Sequence, residues 1–257
     1  MAWHRFPYPS PAYVYTPERL EKFWARLHAG DAEPFPAQIA LQRAWIAYHA
    51  GDFESAARQG LDLGPAGYAL AHKATCIYAT YLETDDEKKI ATFEEVAERC
   101  ERHQAEQPDN PAAWYWHAYA LGRHAQKYSV LKALGQGIGG KVADSLNQTL
   151  TLAPTHADVH VALGVFHAEI IDKVGSMIGA LTYGVKREEG FRHFRTALAL
   201  NHDSAIARIE YARALIMLEG DKKMAESLGL FEEAAECRAL DARERLDVEA
   251  AKEELSE

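Results

Sequence analysis

Three stretches of this chain repeat one another in phase. "NPAAWYWHAYAL" (110–121), "THADVHVALGVF" (155–166) and "DSAIARIEYARAL" (203–215) each carry apolar residues three and four apart, the period of a helix with one buried face. Each follows a segment of one kind: "CERHQAEQPD" (100–109), "LNQTLTLAPT" (146–155) and "FRTALALNHD" (194–203). In each case a helix ends in a turn, usually at proline, and a new helix starts. A helix-turn-helix unit cannot bury its apolar face alone, so copies must stack. No stretch alternates convincingly as a strand would. The expectation is an all-α chain, a right-handed α-α superhelix of about five helix pairs.

The chain has 257 residues, enough for one large domain or an extended repeat array. It reads as a single solenoid domain: an N-terminal extension and helix over 1–36, repeats over 37–235 and a cap helix over 241–257. The first residues, to about Ser10, are rich in proline and aromatics and are expected to lie extended against the body. Thr16 is placed as an N-cap with Pro17 at the first helical position, and the helix stops by Gly30. "DAEPFP" links to the next helix. "DARERLDVEAAKEEL" (241–255) is highly charged and reads as a solvating cap, with Asp241 as its N-cap.

These residues resemble the tetratricopeptide repeat, a helix-turn-helix unit of about 34 residues with a W-x2-L-G-x2-Y…A-x3-F…P pattern. Trp114, Ala118, Leu121, Leu146 and Pro154 fall on its positions in the third unit, and Leu163, Gly164, Phe194 and Ala197 in the fourth. Tyr211, Ala212 and Leu215 fit the fifth, and Ala74, Tyr78 and Pro108 the second. "AYHAGDFESAA" (47–57) carries the G-D-F turn of the first. Small residues in this pattern sit where helices approach closely, and large ones fill the gaps between neighbouring pairs.

Unit starts near 111, 157 and 205 lie 46 and 48 residues apart, so two units are longer than the repeat by roughly 12 and 14 residues. The extra residues fall between the two helices of a unit, over 122–141 and 168–189, and nine of the 17 glycines lie in or beside them. This layout is similar to that of the regulator-of-microtubule-dynamics proteins and of periplasmic TRAP-transporter T components.

Within the first insertion, "LGQGIGGKV" (134–142) has the outline of a phosphate-binding loop. That motif needs Ser or Thr after the lysine to hold magnesium, and a strand before it. Here the position is Val142 and the context is helical, so a glycine-rich turn opening the unit's second helix is expected instead. Arg123, Lys127, Lys132 and Lys141 leave this insertion locally basic with no acid among them. Such a patch suits an acidic peptide or an anionic ligand as well as a solvated face. In the second insertion, "VGSMIGALTYGV" (174–185) is uncharged over 12 residues, too short to span a bilayer. It fits a helix buried over the solenoid, with a lid or membrane-touching hairpin as the alternative.

Other chemistry is sparse. His156, His160 and His167 stand one and two helical turns apart, with Glu169 near, and His117 and His124 share the seven-residue spacing. No HExxH or similar signature supports metal binding, and His160 and His167 occupy packing positions of the repeat. They are read as partly buried, hydrogen-bonded packing residues, with no metal and no cofactor. No nucleophile elbow is present, and Cys100 reads as a small hydrophobe. The net charge of −10 argues against nucleic acid as the main partner. Three scattered cysteines and the absence of a leader-like N-terminus point to the cytoplasm.

The resemblance implies that the first helices line a groove whose outward positions hold a ligand. Carried over, these are Ala112, Tyr115, Tyr119 and Arg123, then Asp158, Val161, Val165 and Glu169, with His72 and Cys76 before them and Ile209 and Arg213 after. Two functions follow. One is a non-catalytic scaffold, monomer or homodimer, that holds a peptide or protein partner through residues such as Tyr115, Tyr119, Arg123, Glu169 and Arg213. The other is a small-molecule binder whose pocket, near Tyr115, Arg123, His160, His167 and Tyr183, is closed by the two insertions.

Overall fold

The computed structural model describes residues 3–125 and 137–256. Among them the regular structure is helical throughout, without strands. The helices are α1 (Pro17–Leu27), α2 (Ile39–His49), α3 (Phe53–Asp62), α4 (Tyr68–Tyr81), α5 (Asp86–Glu106), α6 (Pro111–Ala125), α7 (Ile138–Leu152), α8 (Ala157–Val174), α9 (Ser176–Tyr183), α10 (Arg187–Leu200), α11 (Ala205–Glu219), α12 (Met224–Ala235) and α13 (Ala242–Glu254). The pairs α2/α3, α4/α5, α6/α7, α8/α10 and α11/α12 are the five expected hairpins. They form two compact units: residues 1–28, 33–153 and 240–243, and residues 29–32, 154–239 and 244–257.

The repeated starts are set by caps. Asn110 Oδ1 accepts from Ala112 N at 3.0 Å ahead of α6, His156 Nδ1 from Val159 N at 3.1 Å ahead of α8, and Ser204 Oγ from Ala207 N at 3.2 Å ahead of α11. Each occupies a donor that the helix itself cannot satisfy. Thr16 does the same for α1, accepting from Arg19 N at 3.2 Å with Pro17 following.

In the first unit the G-D-F turn joins α2 to α3. Gly51 has φ of 90°, which L side chains rarely adopt, and Phe6 of the N-terminal arm lies over it so closely that a Cβ would meet the ring at 2.6 Å. Asp52 then caps α3 through Ser55 N at 3.1 Å. The arm docks as expected, with Trp3 stacked on Tyr78 at 4.1 Å. The core around this turn contains Trp45, Tyr48 and Phe53, all essentially inaccessible.

In the second unit the close-packing position is Gly164 of α8. A Cβ there would sit 2.7 Å from the Phe194 ring of α10, and Phe194 in turn stacks on Tyr211 of α11 at 5.2 Å. The missing side chain lets α8 and α10 approach. The charged helix α13 also has a buried face, with Val248 and Ala251 clustered with Ala205, Ile209 and Ala234.

Candidate functional site

The row of first helices in the first unit brings aromatic and cationic side chains together. Tyr115, Tyr119 and Arg123 lie four apart on one face of α6. Tyr115 is buried, while Tyr119 and Arg123 are half-buried. The Arg123 guanidinium stands over the Tyr119 ring at 5.4 Å, within cation–π range. Tyr119 also shares a 2.7 Å hydrogen bond with Thr80 Oγ1 of α4. Burial pushes its phenol above the usual range, opposed by the charges of Arg123 and Arg243. Between α2 and α4, the buried Lys73 ammonium sits 5.5 Å from the Trp45 ring centroid and 5.3 Å from that of Tyr48.

His49 of this row and Tyr15 of the N-terminal arm hold a piece of the chain's own sequence, Leu240 and Asp241. Asp241 Oδ2 lies 2.7 Å from His49 Nδ1, both side chains nearly inaccessible. Tyr15 OH donates to Leu240 O at 2.9 Å. Asp241 stands just before α13, as an N-cap should, and also serves this second contact 192 residues away. His28, stacked on Trp24 at 3.9 Å, completes the aromatic surround of His49.

Of the basic patch, Arg123 and Lys141 fall among the described residues. Lys127 and Lys132 lie outside the described residues, as do Leu134 to Gln136 of the glycine-rich stretch. Lys141 stands 3.5 Å from Glu101. Gly137 is left-handed, with φ of 69°, and opens α7 as a glycine turn should, while Val142 is buried in that helix. The described part of the phosphate-loop outline, Gly137 to Lys141, lies at a helix start, with Val142 where a phosphate loop needs Ser or Thr.

In the second unit, three histidines meet. His160 Nδ1 and His193 Nδ1 are 2.8 Å apart, so one donates to the other. His167 Nδ1 accepts from Lys186 N at 2.9 Å, and its ring centroid lies 5.7 Å from that of His193. Burial lowers the pKa of all three; His193 falls to about 4, with His160, His167 and Arg192 adding to the effect. All three are neutral at pH 7. His160 and His167 are thus hydrogen-bonded packing residues, as their repeat positions imply. His117, bonded to Ser145 Oγ at 2.8 Å, follows suit. Among the described residues, no group of three or more His, Cys, Asp or Glu is arranged to hold a metal ion. Glu169 pairs with Lys173 at 3.3 Å, Tyr183 packs edge-on against Phe166, and Arg213 bridges Glu210 and Glu254.

Several residues placed on outward positions are in fact core. His72 and Cys76 lie in α4, where every residue from Ala69 to Ala79 is buried, because α3, α5 and α6 surround that helix. The His72 ring sits 5.4 Å from that of His103 of α5, and burial drops its pKa to about 3. Cys76 and Cys100 are fully buried thiols whose pKa values burial raises. Ala112, Val161 and Ile209 are buried as well. Conversely, His49, Lys73 and His193 escaped the sequence reading, and Asp241 reads there only as a helix cap. Each is made significant by a neighbour remote in the chain, and no local spacing marks it.

No family model and no curated protein matches this chain. A solved structure does: a thermophilic tetratricopeptide-repeat protein of Thermus thermophilus. It superposes with a TM-score of 0.58 at 16% identity, over 83% of this chain and 97% of that one. The fold is that of the tetratricopeptide repeat. Within it, Tyr115, Tyr119 and Arg123 belong to the first unit, and His160, His167, Glu169, Tyr183 and Arg213 to the second. No described helix is long and apolar enough to cross a membrane.

Proposed function

We propose that the protein is a non-catalytic, cytoplasmic scaffold of tetratricopeptide fold that holds a peptide or protein partner on the α2–α4–α6 row of its first unit. One observation carries this reading: His49 of this row, with Tyr15 of the N-terminal arm beside it, already holds a non-helical piece of chain. Leu240 and Asp241 are bound through a backbone carbonyl and a carboxylate, the two groups any acidic peptide offers. Half-buried Tyr119 and Arg123 extend the row with a large ring and a cation, the side chains that most often anchor an interface. An acidic protein with a local cationic anchor favours an acidic stretch of the partner over nucleic acid.

The test compares affinity-purified wild type with Arg123→Glu and Arg213→Ala, quantifying every co-purifying protein. A partner should fall by about tenfold with Arg123→Glu, where a cation becomes an anion, and remain with Arg213→Ala. Loss only with Arg213→Ala would move the site to the second unit. An identical partner set in all three would sink the proposal.

A further inference from the structure

The second unit carries an apolar surface that its own packing leaves open. α9 is a two-turn helix between Gly175 and Gly184, whose φ values of 85° and 69° turn the chain at each end. Its inward side is fixed. Gly179 lies so close to Val185, Ile170 and Val174 that a Cβ would come within 2.8 Å of Val185, and Tyr183 packs on Phe166. Its outward side shows Met177 at 84%, Ile178 at 59% and Leu181 at 89% exposure. The helix expected to be buried is therefore buried on one side only. A helix apolar all round normally has neighbours all round.

We propose that this surface is the contact between two copies of the chain, which pair α9 with α9 antiparallel about a two-fold axis. Such a contact must be self-complementary: if residue i meets j, then j meets i. The sequence has this symmetry about Gly179. Register 179 on 179 sets Met177 against Leu181 of the second copy on both sides of the axis, and Ile178, on one flank, against its own counterpart.

The area agrees. Three side chains of this size, exposed to this degree, present on the order of 400 Å² of apolar surface. Buried on both copies with their rim, they reach roughly 1,000 Å², the lower bound for a specific interface. An uncharged contact also suits a chain of net charge −10, whose copies otherwise repel. A lipid surface is the less fitting occupant. From Glu169 to Glu189 there are four acids and three bases. Two of those bases are already paired, Lys173 with Glu169 and Arg187 with Glu219 at 2.9 Å. No cationic surplus remains for anionic headgroups.

Sedimentation equilibrium of the full chain, from about 1 to 300 µM at near-physiological salt, tests this, with a dimer expected in the tens of micromolar that so small an interface supports. Leu181→Glu should remain monomeric throughout with an unchanged thermal melt, because the residue it replaces is almost fully exposed. A wild type monomeric at every concentration, or a dimer indifferent to Leu181→Glu, overturns the proposal. A monomer that instead sediments with phosphatidylcholine–phosphatidylglycerol vesicles, and ceases to with Leu181→Glu, shows a membrane contact and overturns it too.

Discussion

The two compact units are built from the same hairpin and treat their side chains differently. In the first, α4 is surrounded and has no outward face. Its neighbourhood takes in a lysine between two aromatic rings and a histidine paired with an aspartate from the far end of the sequence. In the second, three neutral histidines meet between α8 and α10, and α9 leaves three large apolar side chains in water. The difference follows from insertion. A repeat helix inherits neighbours on three sides from the stacking of its unit. An inserted helix inherits only the surface it lands on, and its other face must find a partner elsewhere or stay bare.

Removing the long-range polar contact should break this contrast most severely. Asp241→Ala leaves His49 buried without its partner, a loss of about 3 kcal/mol. For a chain of this length that corresponds to a melting temperature about 6 to 12 °C lower. Calorimetry decides it: a shift below one degree would mean that the pair does not hold the 240–243 segment to the first unit.

A smaller effect probes the second unit's tightest approach. Gly164→Val places methyl groups inside the Phe194 ring, and overpacking of this kind costs about 2 kcal/mol. Adding Phe194→Leu should recover part of the loss, because the two changes share one space. Urea unfolding of the two variants measures the coupling, and strictly additive losses would count against the contact.

The smallest effect is in acid. In the unfolded chain a histidine titrates near 6.5, whereas folding holds His193 near 4, by burial first and then by His160, His167 and Arg192, against the pull of Glu189. As pH falls the unfolded chain takes up the proton first. Stability is therefore intact above about 6.5, declines between 6.5 and 4, and levels off below. His72 adds a similar decline in the first unit, ending near 3. His193→Gln should return about 1 kcal/mol of the loss between pH 7 and 4.5, after allowance for its partial exposure to solvent. An unchanged pH slope would place the acid sensitivity in residues other than His193.

Much of the fold was legible. The starts near 111, 157 and 205 are the first turns of α6, α8 and α11, and Thr16 and Gly164 act as their types and positions imply. Less of the candidate site was legible. Tyr119 and Arg123 are brought together on one face by the four-residue spacing, but His72, Cys76, Ala112, Val161 and Ile209, assigned outward faces by the same arithmetic, are buried. Periodicity fixes which residues of one helix share a face. It carries nothing about how many other helices surround that helix.

By itself, the sequence determined what is local: helix periods, caps, turns and the small residues where paired helices touch. These depend on hydrogen bonds and sterics within a few residues, so a short window contains their cause. Only the tertiary structure decided that Asp241 meets His49, that His193 meets His160, and that Met177, Ile178 and Leu181 face water. Those outcomes depend on which surfaces the packing brings together. The side chains involved are drawn from positions up to 192 residues apart, where no spacing rule connects them.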